Sequence, residues 1–505
     1  MLGILNIEKL TLKQKILLGV LILLGVFMLG SGRAHAATLN VTGSCTLPIA
    51  INSVNAGANQ SGCTAGGSYG SSDTITIPAG TVTLTADLPQ ITENVSIVGA
   101  GMSSTIVDGD AGQYRAFNAE TSQLNISGLK VTAFEGCAIL TLNTNVVLNN
   151  IEVDGANATV VGNNYCGIAV QADSGSLTMD SNGLYVHNFT ATGSDYIEGI
   201  TIKPYGGSSI DADIQNTTFS DIHALSGGVN GIFMAAGFLE SGGGTVTANI
   251  VNTTVDDVTS TAITAPFANI AFADGGDANT TVVVNNITIT GTRGAAGTGF
   301  LTGLNTAAFY ALGMGNGAGD TGTVNVSVGN SLMADNLLDS TPANCFEGDL
   351  TSNYGGSGTV VTSITSLGHN IADDNSCSFA QTGDKQNINN ITSTLGALQN
   401  NGGNVPTRAL LAGSPAINTG SQVLGITTDA RGIDRLNDCP SVGAYQYEGA
   451  VCAASAANGG SGNSNGGSLA ETGQDTKTNI VIGLLLVSTA LATAFSRRKL
   501  IYKHR

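Results

Sequence analysis

Ile214-Gln215-Asn216-Thr217-Thr218-Phe219 and Ile250-Val251-Asn252-Thr253-Thr254-Val255 are two copies of one phrase: a hydrophobic residue, a polar residue, Asn, small residues, and a second hydrophobic residue. The phrase recurs as Leu148-Asn149-Asn150-Ile151 and Val284-Asn285-Asn286-Ile287, with a looser copy at Met179-Asp180-Ser181-Asn182-Gly183-Leu184. The marker Asn thus stands at 150, 182, 216, 252 and 286. A second phrase, Gly followed by an apolar strand, is interleaved with the first at Gly167-Ile168, Gly199-Ile200, Gly231-Ile232 and Gly299-Phe300.

Two phrases on one shared period mean that each repeat holds at least two short strands joined by turns. The strands alternate in polarity, as in Leu124-Asn125-Ile126 and Val324-Asn325-Val326-Ser327-Val328. Such a unit cannot bury its apolar side alone, but a stack of copies can. The expected fold is therefore all-β, a parallel β-helix in which each coil adds a strand to sheets running along the axis. Asn suits the recurring corner because it tolerates the left-handed backbone region and its amides can bond along the stack. A dozen or more coils at about 4.8 Å each would make a rod on the order of 60–80 Å. The period exceeds that of a bare coil, so Gly-rich stretches such as 237–244 and 313–322 are expected to loop out. A β-sandwich array would need tight Asn-Gly hairpins at short regular spacing, and these are missing.

Composition agrees. Of 505 residues 69 are Gly and only 9 Pro, charged residues make up 11%, and Trp is absent. The β-branched content is too high for a disordered chain. The net charge of −18 is unevenly spread. Residues 37–473 carry 8 basic and 34 acidic side chains, a net of −26. Such a surface repels nucleic acid and anionic lipid, which argues against nucleic-acid partners.

Both ends read as addresses. Lys9, Lys13 and Lys15 precede an apolar run from Ile16 to Leu29, followed by Ala34-His35-Ala36. This is the pattern of a signal peptide over residues 1–36, with Ala34 and Ala36 as the small residues of the cleavage site; a retained anchor is the alternative. An ectodomain over 37–450 leads into a Gly/Ser/Asn-rich linker at 451–468. Leu469-Ala470-Glu471-Thr472-Gly473 follows, then an apolar span at 480–495 and a basic tail from Arg497. The order of pentapeptide, membrane span and positive tail over 469–505 resembles the cell-wall sorting signal of Gram-positive-type bacteria, with Ala470 where Pro is usual. The resemblance implies a sortase as partner: its thiolate would cleave Thr472–Gly473 and pass the acyl group to peptidoglycan. It also implies a membrane-held C-terminal helix before sorting and a cell-wall location. A plain C-terminal membrane anchor is the alternative.

The eight cysteines, 45, 63, 137, 166, 345, 377, 439 and 452, all lie in the exported part and are disulfide candidates. Neighbour pairing, Cys45/Cys63, Cys137/Cys166, Cys345/Cys377 and Cys439/Cys452, is the working hypothesis among 105 connectivities. No C-x-x-C pair or Cys/His cluster points to a metal.

The flanks of the repeat array carry a family resemblance. Cys45-Thr46-Leu47-Pro48-Ile49-Ala50-Ile51-Asn52, Asp73-Thr74-Ile75-Thr76-Ile77-Pro78-Ala79-Gly80-Thr81 and Ile97-Val98-Gly99-Ala100-Gly101 stand at one side. Ser366-Leu367-Gly368-His369-Asn370, Leu395-Gly396-Ala397-Leu398, Ser414-Pro415-Ala416-Ile417-Asn418, Asp429-Ala430-Arg431-Gly432 and Gly443-Ala444-Tyr445 stand at the other. Together they resemble bacterial surface proteins of the "choice-of-anchor Q" type, related to pectate-lyase-like and polymorphic outer-membrane repeat proteins. The chain departs from them at Asn418, where Asp is usual. The resemblance implies a right-handed parallel β-helix. Leu47, Ile51 and Val54 suit a short amphipathic helix closing its N-terminal end. Asp429, Arg431, Asp434 and Arg435 suit a salt-bridge cluster in a closing C-terminal coil.

Chemistry is sparsely written. No cofactor motif is legible, since Gly99-Ala100-Gly101 lacks the third Gly and the following helix of a nucleotide fingerprint. Gly368-His369-Asn370 resembles the Gly-His-Gly of polygalacturonases but lacks their paired-Asp motif and reads as structural. The best catalytic candidates are geometric. Asp221 and Asp257 stand at equal offset from Asn216 and Asn252, which would put their carboxylates about 5 Å apart, with His223 beside them. That separation suits a retaining glycosidase pair or a cation site; a solvated acidic edge is the plainer reading. The expectation is a surface adhesin or structural protein that binds an extracellular glycan or host-surface ligand. A surface polysaccharide lyase or glycoside hydrolase is the alternative.

Overall fold

The computed structural model describes residues 36–449 and Cys452, apart from 71, 161–164, 194–195, 238–240 and 298–303. The segment from Ala453 to Arg505 lies outside the described residues. Leu469, Ala470, Glu471, Thr472 and Gly473, the apolar span and Ala34 fall there or before residue 36. Among the described residues no helix is long and apolar enough to cross a membrane.

The two quoted copies sit one above the other. Ile214 pairs with Ile250 and Phe219 with Val255 in parallel register. Each full coil has three strands, one more than the minimum of two that the phrases require. Ser209–Gln215 forms leg one, Thr218–Ala224 leg two and Val229–Ala236 leg three; the next coil repeats them as Gly244–Val251, Thr254–Ser260 and Thr264–Ala273. Legs one and two belong to one continuous parallel sheet and leg three to another. The fold is thus a parallel β-helix. Its core is a set of inward ladders such as Val131, Val153, Val186, Phe219, Val255, Ile289 and Met333, each paired with the next and fully buried. Burying one apolar side chain per rung is what each strand gains by stacking, on the order of 1.5–3 kcal/mol per residue.

The corner between legs one and two is left-handed at Asn150, Gly183, Asn216, Asn252 and Asn286, with φ between 51° and 77°. Asn182 is therefore not the corner residue of its coil. It pairs with Asn149 and Gln215, one position earlier, and Gly183 makes the turn. The glycine phrase opens leg three. A side chain at Gly199 would meet the Gly231 carbonyl oxygen at 2.5 Å and the Phe219 ring at 2.8 Å, so the backbone itself packs there. The expected continuation at Gly299 fails: register brings Phe309 over Phe267, so Ala308 follows Pro266 at that position, and Gly299 lies outside the described residues. Gly313 and Gly315 lie inside the strand Phe309–Gly315, and the excursion there is confined to 316–320. The period is not constant. Rungs advance by 22 residues from Leu124 to Val146, by 36 from Ser209 to Thr245 and by 44 from Ala278 to Gly322.

The helix Leu47–Ala56 closes the N-terminal end, with Leu47, Ala50, Ile51 and Val54 buried, Pro48 in its first turn and left-handed Gly57 as its stop. All four expected disulfides are present: Cys45–Cys63, Cys137–Cys166, Cys345–Cys377 and Cys439–Cys452. Cys137 and Cys166 face each other on adjacent rungs of leg three. Such bridges are those of a protein folded in an oxidising compartment.

The far end differs from expectation. Residues 429–435 add no final coil. After Ile371 the chain turns back and runs along the side of the helix, using the Asn corner as a rail. Ser421 exchanges two hydrogen bonds with the Asn330 amide, Asn252 Nδ2 donates to the Thr428 carbonyl at 3.0 Å, and Asn404 Nδ2 donates to Asn150 Oδ1 at 2.7 Å. Eleven strands of leg one consequently span roughly 50 Å, shorter than the expected rod. The expected salt-bridge cluster is partial. Arg431 pairs with buried Asp429 at 2.8 Å and with Glu448 at 2.6 Å, Asp434 is exposed outside it, and Arg435 bonds only to oxygens of carbonyls and an amide.

Candidate functional site

Leg two faces outward beneath the returning chain. Strand alternation puts Lys130, Glu152, Tyr185, Thr218, Thr254 and Thr288 in one outward row and Asp154, His187, Ser220, Asp256 and Thr290 in the next. A hairpin of Leu395–Gln399 and Thr407–Leu410 lies across these rows. It is fixed by Thr218 Oγ1 donating to the Pro406 carbonyl at 2.7 Å and Arg408 Nε donating to Asp256 Oδ1 at 2.8 Å. The hairpin makes a trough from what would be a flat face. Pro406 and Tyr185 border clefts on both sides, of about 620 and 630 Å³.

The first cleft holds the expected pair. Asp221 and Asp257 both sit at left-handed bends, φ 53° and 55°, one rung apart. Carboxylates tolerate that backbone because their short polar side chains bond locally. Ligating atoms of Asp221, His223 and Asp257 all lie within 4.8 Å of one another. His223 Nδ1 bonds Thr259 Oγ1 at 2.6 Å, and its Nε2 stands 3.6 Å from Asp257 Oδ2. Partial burial pushes the Asp257 carboxyl above the usual range. Asp221 and Asp256 add to that push, while His223 and Arg293 oppose it. Arg293 and Arg408, which border the same cleft, are committed to Asp335 and Asp256. The group could hold a divalent cation or share one proton between carboxylates.

Glu152, which borders the second cleft, belongs to a cluster that the sequence reading did not single out. Lys130 Nζ lies 2.6 Å from Asp154 Oδ2 and 3.0 Å from Glu152 Oε1, and His187 Nε2 stands 3.2 Å from the same Glu152 oxygen. Tyr185 stacks on His187 with centroids 3.9 Å apart, and its hydroxyl meets Ser220 Oγ. Burial opposes charge on all three ionised groups. Even so, Asp154 and Glu152 hold Lys130 above its usual range, His187 and Lys130 hold Glu152 below its own, and Lys130 with the Ala156 N–H does the same for Asp154. A metal here would have to displace Lys130. The signal was present in spacing: Glu152 and Asp154 stand two and four residues past Asn150, as Tyr185 and His187 do past Gly183.

His369 and Asn370 are structural. His369 occupies a left-handed turn, φ 59°, and the Asn370 amide bonds the Val328 carbonyl at 2.8 Å. Ala36, the last residue of the expected signal peptide, pairs with Ser68 in a parallel bridge.

No protein-family model matches the chain, and no curated protein does either. Among solved structures the chain is similar to pectate lyase Pel9A, at 12% identity over 74% of this chain and 88% of that one, with a TM-score of 0.29.

Proposed function

We propose that the chain is a surface-displayed β-helix protein that binds an extracellular polysaccharide in the trough on leg two and is fixed to the cell wall through Leu469–Gly473. The observation that carries the binding reading is the roofed trough itself. The clefts beside the roof present Glu152, Tyr185, Asp221 and Asp257 on successive rungs about 4.8 Å apart, a spacing on the scale of one sugar ring. A linear glycan lying along the axis would meet one polar or aromatic side chain at each of these steps, the Tyr185 ring among them. The four disulfides agree with an exported protein. A glycan array probed with the full chain, alongside a depolymerisation assay on the bound glycans, tests it. Binding without turnover is expected; failure to bind any polysaccharide would remove the reading. Anchoring is tested by mass spectrometry of wall fragments, which should carry Thr472 as the C-terminal residue.

One observation favours glycoside hydrolysis as a second reading. The Asp221 and Asp257 carboxylates come within 4.8 Å, and Asp257 is biased toward its protonated form. A close carboxyl pair with one acid and one ionised member is the requirement of a retaining mechanism. Turnover abolished by Asp221→Asn would establish it in place of simple binding.

A further inference from the structure

Where the returning chain crosses the corner, the Asn rail is interrupted. Asn216 Nδ2 donates to Asn182 Oδ1 and Asn252 Nδ2 to Asn216 Oδ1, so each amide bonds back toward the preceding coil. The next rung would continue with Asn286 donating to Asn252. That oxygen is taken by Arg435 Nη2 at 2.8 Å. Asn286 is 1% exposed, and its Nδ2 has no partner. It borders a cavity of about 10 Å³ closed by Ser421, Ile426, Thr427, Arg435 and Pro440, enough for one atom-sized occupant.

The cavity wall is rich in donors. Asn286 offers an N–H, and Arg435, four of whose five N–H groups already donate, offers one more on Nη1. The neighbouring carbonyls already accept: Ser421 from Asn330 Nδ2, Thr427 from Arg435 N, Val423 from Ile426 N and Pro440 from Gly420 N. Charge points the same way. Arg431 and Arg435 are both buried, and the one buried carboxylate between them, Asp429, is bridged to Arg431. Glu448, the other partner of Arg431, is 62% exposed. Burial lowers the Arg435 guanidinium to about 10, as expected of a cation without a directly bonded anion.

We infer that the cavity at Asn286 and Arg435 binds a single monoatomic anion, a halide such as chloride. A water molecule would satisfy one donor but leave the excess buried positive charge. A sulfate or phosphate exceeds the space. The ion would bridge the core helix at Asn286 to the returning segment at Arg435, so halide would fasten the segment that carries the trough's roof.

The test uses the full chain. Crystals grown without chloride and soaked in sodium bromide should show bromine anomalous scattering within hydrogen-bonding reach of Asn286 Nδ2. In solution, melting should rise by roughly 1–2 °C for each tenfold increase in chloride at constant ionic strength, with gluconate as the replacement salt. Asn286→Asp, which keeps the shape and tolerates the left-handed corner while replacing the donor with an acceptor, should flatten that dependence. Density without anomalous signal means water and overturns the inference. Bromide seen only at soaking concentration, with equal melting in chloride and gluconate, overturns it as well.

Discussion

The two clefts share a floor, a border at Tyr185 and the same rows of leg two, yet they have solved burial of charge in opposite ways. Beside the second cleft, Glu152 at its border and Lys130, Asp154 and His187 behind it come from three successive rungs and satisfy one another. In the first, the cations Arg293 and Arg408 are drawn off by Asp335 and Asp256, leaving Asp221 and Asp257 facing each other with His223 alone beside them. The difference is one of sequence offset. Register puts Lys130 directly beside Glu152, whereas Asp221 stacks on another Asp. A self-neutralised cluster stabilises the fold; an unneutralised pair is available for a ligand.

The comparison breaks first at Lys130. Lys130→Ala would leave Glu152 with only His187 and Asp154 with only the neutral donors Ala156 N and Asn188 Nδ2, and unfolding by urea should show a loss of about 2–3 kcal/mol. An unchanged midpoint would mean that the cluster is solvated and the two clefts are alike. Arg408→Ala tests the roof. Asp256, 7% exposed, would keep only Thr290 as partner, and a loss of about 1–2 kcal/mol is expected, with faster amide exchange across 395–410. Tyr185→Ala should weaken glycan affinity about tenfold, read by calorimetry, because an aromatic platform near the centre of the trough is lost.

The smallest effect is expected at the acidic pair. Asp221→Asn with Asp257→Asn should leave display and glycan affinity within about threefold, and stability within about 0.5 kcal/mol. Its signature is in pH. Asp257 is raised, so the folded state takes up its proton first, and stability grows as pH falls through that raised value; the double variant should lose this gain. Glu152 and Asp154 are depressed, so their contribution is complete above the usual carboxylate range and lost as pH falls below it. Melting curves from pH 7 to pH 2 separate the two trends. A double variant with the same pH profile as the parent would show that the pair is solvated.

The sequence by itself determined the solenoid, because a coil that cannot bury its own apolar side must repeat, and repetition is visible in one dimension. The corner at Asn216 and Asn252, the rung-to-rung approach of Asp221 and Asp257, the N-terminal helix and the neighbour disulfides all follow from local spacing. Variable coil length hid the rest. Steps of 22 to 44 residues carried Phe309, rather than Phe300, over Phe267, and Gly183, rather than Asn182, into the turn. Only the tertiary structure decided that residues 372–449 turn back along the helix instead of adding coils. That choice rests on contacts such as Asn404 with Asn150 and Arg435 with Asn252, 254 and 183 positions apart. Hydrogen bonds at such separation leave no period in the sequence. They alone bring Pro406 and Arg408 over leg two, roofing an exposed face into a trough.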